Sequence, residues 1–127
     1  MSRSPRPARY RLRSHPAITA DLAQLATYGA EAVAAARDTL DDLAHGRVTG
    51  KALGDRHVSG DLTGLASVKF DVAKSPTRRF RLVYGEIDSN TLGVLAIGPR
   101  DEHAIYRLAA KRLDVGEALD PTAARDN

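Results

Sequence analysis

Two consecutive runs in the second half of the chain alternate apolar and charged residues with a period of two. Val68, Phe70 and Val72 alternate with Lys69 and Asp71; Phe80, Leu82 and Tyr84 then alternate with Arg79, Arg81 and Val83. Successive side chains of a strand point to opposite faces, so each run predicts a half-buried strand with an apolar side and a charged side. Ser75-Pro76 between them signals a turn. Asp88-Ser89-Asn90 then reads as a short hairpin loop, and Leu92–Ile97 is apolar on both faces, as a central strand requires. Gly98-Pro99 ends that strand, and Asp101 is placed to cap a last helix over about residues 102–113. The expectation is an antiparallel meander closed by a helix, and the stretch from Arg79 to Leu113 is what the rest of the chain must support.

The upstream half supplies the support. Arg9–Arg13 alternates around Tyr10 and Leu12 and predicts a short strand, broken by Ser14-His15-Pro16, with Ser14 available as a helix cap. Ile18, Leu22, Leu25 and Ala26 make one apolar stripe of a helix over Ala17–Tyr28, stopped by Gly29. Val33, Ala36, Leu40 and Leu43 do the same for a second helix over Ala30–Ala44, ended by His45-Gly46. The short break between them predicts an antiparallel helix pair. Residues 47–60 show no period and several glycines, which reads as a surface loop. The expected fold is α+β: an N-terminal strand, an antiparallel helix pair on one face of a mostly antiparallel four-stranded sheet, and a C-terminal helix. The first strand should lie beside the third or fourth. Residues 1–8 are expected to form a flexible basic arm, 9–114 a single domain and 115–127 a flexible tail.

Charge is unevenly distributed along the chain. The net charge is only +3, but Lys69, Lys74, Arg78, Arg79 and Arg81 crowd one segment against the single acid Asp71, while acids gather in Glu31–Asp42. Such segregation favours a polyanion such as nucleic acid, or an acidic protein, as partner. The meander puts Lys69, Arg79 and Arg81 on the solvent side of the sheet, with Arg100 just past the next strand and Tyr106 on the helix beyond. Guanidinium groups suit phosphate because they stay charged and donate parallel hydrogen bonds. A tyrosine exposed beside them could stack on a base or move a proton. An imidazole can exchange a proton near neutral pH, which makes His103 the candidate general base. Arg79, Lys74 and Arg78 are candidates for holding an RNA backbone. The chain has no cysteine, no closely spaced histidines, no phosphate-binding glycine loop and no nucleophile elbow, so neither a metal nor a cofactor is expected. No apolar run approaches the ~20 residues of a membrane span, and none of the ~7–15 residues of a secretory signal follows the basic start. A cytoplasmic location is therefore expected.

In the order and spacing of HPAITADLAQL, DLTGLASVKFDV, RRFRLVYGEID and VLAIGPRDEHAIYRLAAKRL, the chain resembles the RelE/ParE superfamily of bacterial type II toxin–antitoxin toxins, from Tyr10 to Leu113. The resemblance implies a helical pair packed on an antiparallel sheet. It implies a cognate antitoxin as partner and, in the RelE-like branch, a metal-independent endoribonuclease that cuts mRNA at the ribosome. On that likeness Arg81 matches the strand arginine, Arg100 the arginine after the glycine turn, Tyr106 the tyrosine closing that motif, and Lys69 the first of two lysines. Asp71 stands where the second would be, and His103 is the group able to replace it in proton transfer. The ParE branch acts instead on DNA gyrase and needs no nuclease site, and a degenerate toxin would be a non-enzymatic module that binds nucleic acid or protein without either activity, so fold likeness leaves the activity open.

Overall fold

The two alternating runs pair with each other, as their pattern requires. The structure, a computed structural model, describes residues 8–56, 60–72, 78–99 and 104–115. Its elements in chain order are β1 (Arg11–Ser14), α1 (Ile18–Leu25) continued by a 3-10 turn (Ala26–Tyr28), α2 (Ala30–Ala44), β2 (Lys51–Arg56), β3 (Gly60–Val72), β4 (Arg78–Asp88), β5 (Thr91–Pro99) and α3 (Ala104–Val115). The strands form one mixed sheet in the order β1-β5-β4-β3-β2, with β1 parallel to β5 and the other pairs antiparallel. The α+β class and the meander are as expected, and β1 lies beside the last strand.

Two expectations are corrected. The sheet has five strands, because β2 forms within the stretch read as a loop. Its sequence, KALGDR, offers no period: Lys51 and Ala52 are exposed and Leu53 is buried. An edge strand held mainly by its backbone ladder leaves little trace in a hydrophobic pattern. The helices also do not share one face. Phe80, Leu82, Tyr84, Val68 and Phe70 pack with Ile18, Leu25, Ala36 and Leu43 on the α1/α2 side. Val83, Leu65, Leu95 and Ala96 pack with Ile105, Tyr106 and Ala109 of α3 on the other. Neighbours along β4 thus serve different layers, and the sheet is the middle of three. A bulge makes this possible on β5. Tyr84 faces Val94 and Val83 faces Ala96, so Leu95 is an extra residue, and both Leu95 and Ala96 turn toward α3.

Packing on the α1/α2 side centres on Phe80, which is fully buried, stacked on Phe70 at 5.4 Å and met edge-on by Tyr28 at 5.5 Å. Such ring pairs contribute about 0.5–1.5 kcal/mol each beyond their burial. Gly29 joins the two helical segments at φ 112, a backbone setting that an L side chain resists. No side chain, Ser14 included, caps α1; before it, the Ala17 amide donates to His15 Nδ1 at 3.0 Å and the Ile18 amide to the His15 carbonyl at 2.9 Å. The expected Ser75-Pro76 turn, the Asp101 cap, and the arm and tail apart from Ala8 and Val115 lie outside the described residues.

β1 covers only the first part of β5. Its last rung sets Ser14 against Val94, followed by the His15 amide on the Val94 carbonyl. Beyond that rung the exposed edge of β5 is closed by side chains. Asp21 of α1 accepts the Ile97 amide at 3.0 Å, and Arg112 of α3 donates to the Leu95 carbonyl at 3.0 Å. The two side chains also form a fork-to-fork pair, at 2.7 and 2.9 Å. One ion pair therefore ties the helices of opposite faces together around the sheet edge and supplies the hydrogen bonds that a longer β1 would have made.

Candidate functional site

The strand register places the charged residues of β3 and β4 in rows on the α3 side. Lys69 is opposite Arg81 and Asp71 is opposite Arg79; two residues back, Ser67 is flanked by Lys51 of β2 and Val83 of β4. Rows on one face are about 7 Å apart and opposed Cβ atoms about 5 Å. Lys51, Lys69 and Arg79 are exposed, as is Asp71. α3 packs on the Val83–Ala96 part of this face. Its first turn sits on Gly98, the lateral neighbour of Arg81, where a Cβ would stand 3.2 Å from Ile105 Cδ1. The glycine lets the helix start lie close against the sheet beside the arginine.

Arg81 differs from its row. It was expected on the solvent side, yet it is 4% exposed, and among the described residues its guanidinium makes one hydrogen bond, from Nη1 to the Phe80 carbonyl at 3.1 Å. A guanidinium carries several donors and stays charged, and removing an unpaired charge from water costs several kcal/mol. Its direct neighbour, Lys69, is a like charge, which destabilises a strand pair further. Among the described residues none pairs with the Arg81 guanidinium as a counter-charge. An anion lying across Lys69 and Arg81 would satisfy the donors and relieve the repulsion.

Tyr106 lies on the same side of the sheet as Arg81, but it is 9% exposed, with its ring in the cluster of Val83, Leu95 and Ala109. The expectation of a phenol exposed for base stacking is corrected: the residue three before Ala109 falls on the face of α3 that meets the sheet. Arg100, His103 and Lys74 lie outside the described residues. Arg78 pairs with Val72 in the β3–β4 ladder. Lys51 and Ser67 belong to the patch and were not singled out from sequence. The alternation that assigns Lys69 to the charged face assigns Ser67 there too. Lys51 had no comparable signal, since its strand has none. Among the described residues no cluster of metal-binding side chains is found, and no helix is long and apolar enough to cross a membrane.

Lys51, Lys69 and Arg79 thus offer exposed cationic groups around the buried fork of Arg81. Such an arrangement can neutralise a phosphodiester and stabilise charge that grows on its oxygens. Comparison of the chain with protein families, with curated proteins and with solved structures finds no match.

Proposed function

We propose that the protein is the toxin of a type II toxin–antitoxin pair, a metal-independent endoribonuclease of the RelE-like kind acting in the cytoplasm on mRNA at the ribosome. The carrying observation is the buried Arg81 directly opposite Lys69, with one hydrogen bond among the described residues, an electrostatic cost that a bound phosphate would offset. In the proposed reaction a ribose 2′-oxygen attacks the adjacent phosphorus. The O2′–P bond forms as the P–O5′ bond breaks, leaving a 2′,3′-cyclic phosphate and a 5′-hydroxyl. Arg81 and Arg100 stabilise the equatorial oxygens. His103 takes the 2′-proton, and Lys69 gives a proton to the leaving 5′-oxygen. Arg79, Arg78, Lys74 and Lys51 hold the backbone on either side. Tyr106 supports the patch from the core beneath α3. A cognate antitoxin with an acidic segment would cover the same patch.

A second reading, inhibition of DNA gyrase without RNA cleavage, is favoured by two particulars: Tyr106 is withdrawn into the core, and Asp71 occupies the place of a second cation. One experiment separates the two. On induction without antitoxin, the nuclease reading expects growth arrest, cuts within translated frames by primer extension, and 5′-hydroxyl ends. Arg81→Met should abolish all three. Intact transcripts with loss of supercoiling would select the gyrase reading, and normal growth with abundant folded protein would overturn both.

A further inference from the structure

A separate cavity lies on the other side of the sheet, and none of Lys51, Lys69, Arg79 and Arg81 lines it. Between the end of α2, the loop after it and strands β2 to β4 is a cavity of about 540 Å³. It is separated from the Lys69–Arg81 row by three steps of the β3–β4 register, about 10 Å. Leu43, Val48, Ala52, Ala66 and Leu92 give it apolar walls.

Its polar feature is Tyr84. The Gly50 amide donates to the Tyr84 hydroxyl at 2.8 Å. That approach requires glycine, because a Cβ on residue 50 would stand 2.8 Å from the Tyr84 ring and 2.9 Å from the Ser67 carbonyl. The loop is therefore pressed onto the phenol so that its amide occupies an oxygen lone pair. The phenolic proton remains. Tyr84 is 9% exposed, and no described residue accepts that proton. The hydroxyl donor is thus left for whatever enters the cavity that it borders.

The charged residues lining the cavity are Arg9 and Glu86, both exposed. They are of opposite sign and offer no net charge to an ion. Arg9 lies over the Tyr10 ring at 5.0 Å, and the Tyr10 amide is fixed to the Ala44 carbonyl at 2.9 Å. The mouth is thus tied to the end of α2.

We infer that this cavity is a binding site for an uncharged apolar small molecule bearing a carbonyl-type acceptor, with Tyr84 donating to that acceptor. The test uses the full chain and a neutral aminonaphthyl ketone, whose fluorescence rises in apolar surroundings and shifts to the red when its carbonyl is hydrogen-bonded. Wild-type protein should bind one equivalent saturably. Ala66→Leu and, separately, Ala52→Leu should abolish binding by filling the chamber. Ala52 is exposed, so its variant keeps the fold if the larger side chain at position 66 does not. Tyr84→Phe should weaken binding by about fivefold, the loss of one hydrogen bond, and shift the emission of the bound ketone to the blue. Unchanged binding in Ala52→Leu, unchanged emission in Tyr84→Phe, or tighter binding of the carboxylate or ammonium analogue would each overturn the inference. Loss of nuclease activity is not expected in Ala52→Leu, so this result and that of the RNA experiment are independent.

Discussion

Arg81 and Arg112 are both withdrawn from water on a sheet of five strands, and their surroundings could hardly differ more. Arg112 has a side chain 12% exposed, two hydrogen bonds to the Asp21 carboxylate and a third to the Leu95 carbonyl. Arg81 is more deeply buried and, among the described residues, makes one, to the carbonyl of the preceding residue. The first arginine has its counter-charge within the fold, and its purpose ends there: it closes an edge and ties α3 to α1. The second has a like charge opposite it. Burial alone does not distinguish a structural cation from a functional one. The distinction lies in whether the protein itself supplies the acceptors.

The largest effect should come from breaking the satisfied pair. Asp21→Ala removes the counter-charge of Arg112 and the acceptor of the Ile97 amide together, and should cost about 3–5 kcal/mol, the loss typical when one member of a buried pair is removed. Urea unfolding reads this directly, with the midpoint falling and the slope unchanged. The double variant Asp21→Leu with Arg112→Met should recover a large part of the loss, since no charge is then left unpaired. A small effect of Asp21→Ala would show that the edge closure is ornamental, and the contrast between the two arginines would fail at its structural end.

Arg81→Met is the complementary case and should be opposite in sign. Removing a buried cation that has few acceptors, next to a like charge, should leave stability within about 1 kcal/mol of wild type or raise it. Phosphate-bearing ligands supply the other half of the comparison. A short RNA at a hundredfold excess over its dissociation constant should stabilise the wild type by about 2.7 kcal/mol and should stabilise Arg81→Met far less. Thermal melts with and without the oligonucleotide measure both. Should Arg81→Met destabilise as strongly as Asp21→Ala, Arg81 would be a second structural cation, and the reading of the patch as a phosphate site would lose its main support.

The contrast also marks where the sequence was informative. Strands β3 and β4 and helix α2 were legible because each carries an apolar face whose period is written in the residues, and β5 because its run is apolar on both faces: Val68, Phe70 and Val72 cannot alternate with Lys69 and Asp71 for another reason. The polar hinge at Asp21 was visible in principle. It stands three residues after Ile18 and four before Leu25, inside an apolar stripe, where a carboxylate needs a partner; its partner ninety-one residues away could not be read from spacing. The side chosen by α3 was not legible either. A helix after a strand can fold to either face, and Val83, Leu95 and Ala96 reveal the second apolar layer only once the bulge at Leu95 is known. For the site, alternation correctly grouped Lys69, Arg79 and Arg81 on one face. It could not say that Arg81 would be buried, Tyr106 enclosed and Lys69 and Arg79 left in solvent, because exposure on that face depends on what packs against it.

Lys51 offers the smallest effect and tests how far the patch extends. It is exposed on the edge strand, in line with Ser67 and Val83 and one row from Lys69 and Arg81. Its replacement by alanine touches no core contact and should change stability by about 0.5 kcal/mol or less. If a nucleic-acid backbone crosses the sheet from β4 to β2, Lys51→Ala should weaken RNA binding and reduce the slope of log affinity against log salt by about 0.7, the contribution of one phosphate contact to a single strand. Arg37→Ala is the control: it is exposed on α2, on the far side of the sheet, and should leave that slope as it was. Equal slopes for both variants would confine the bound phosphate to the Lys69–Arg81 row, and the buried arginine would then be the whole of the site rather than its centre.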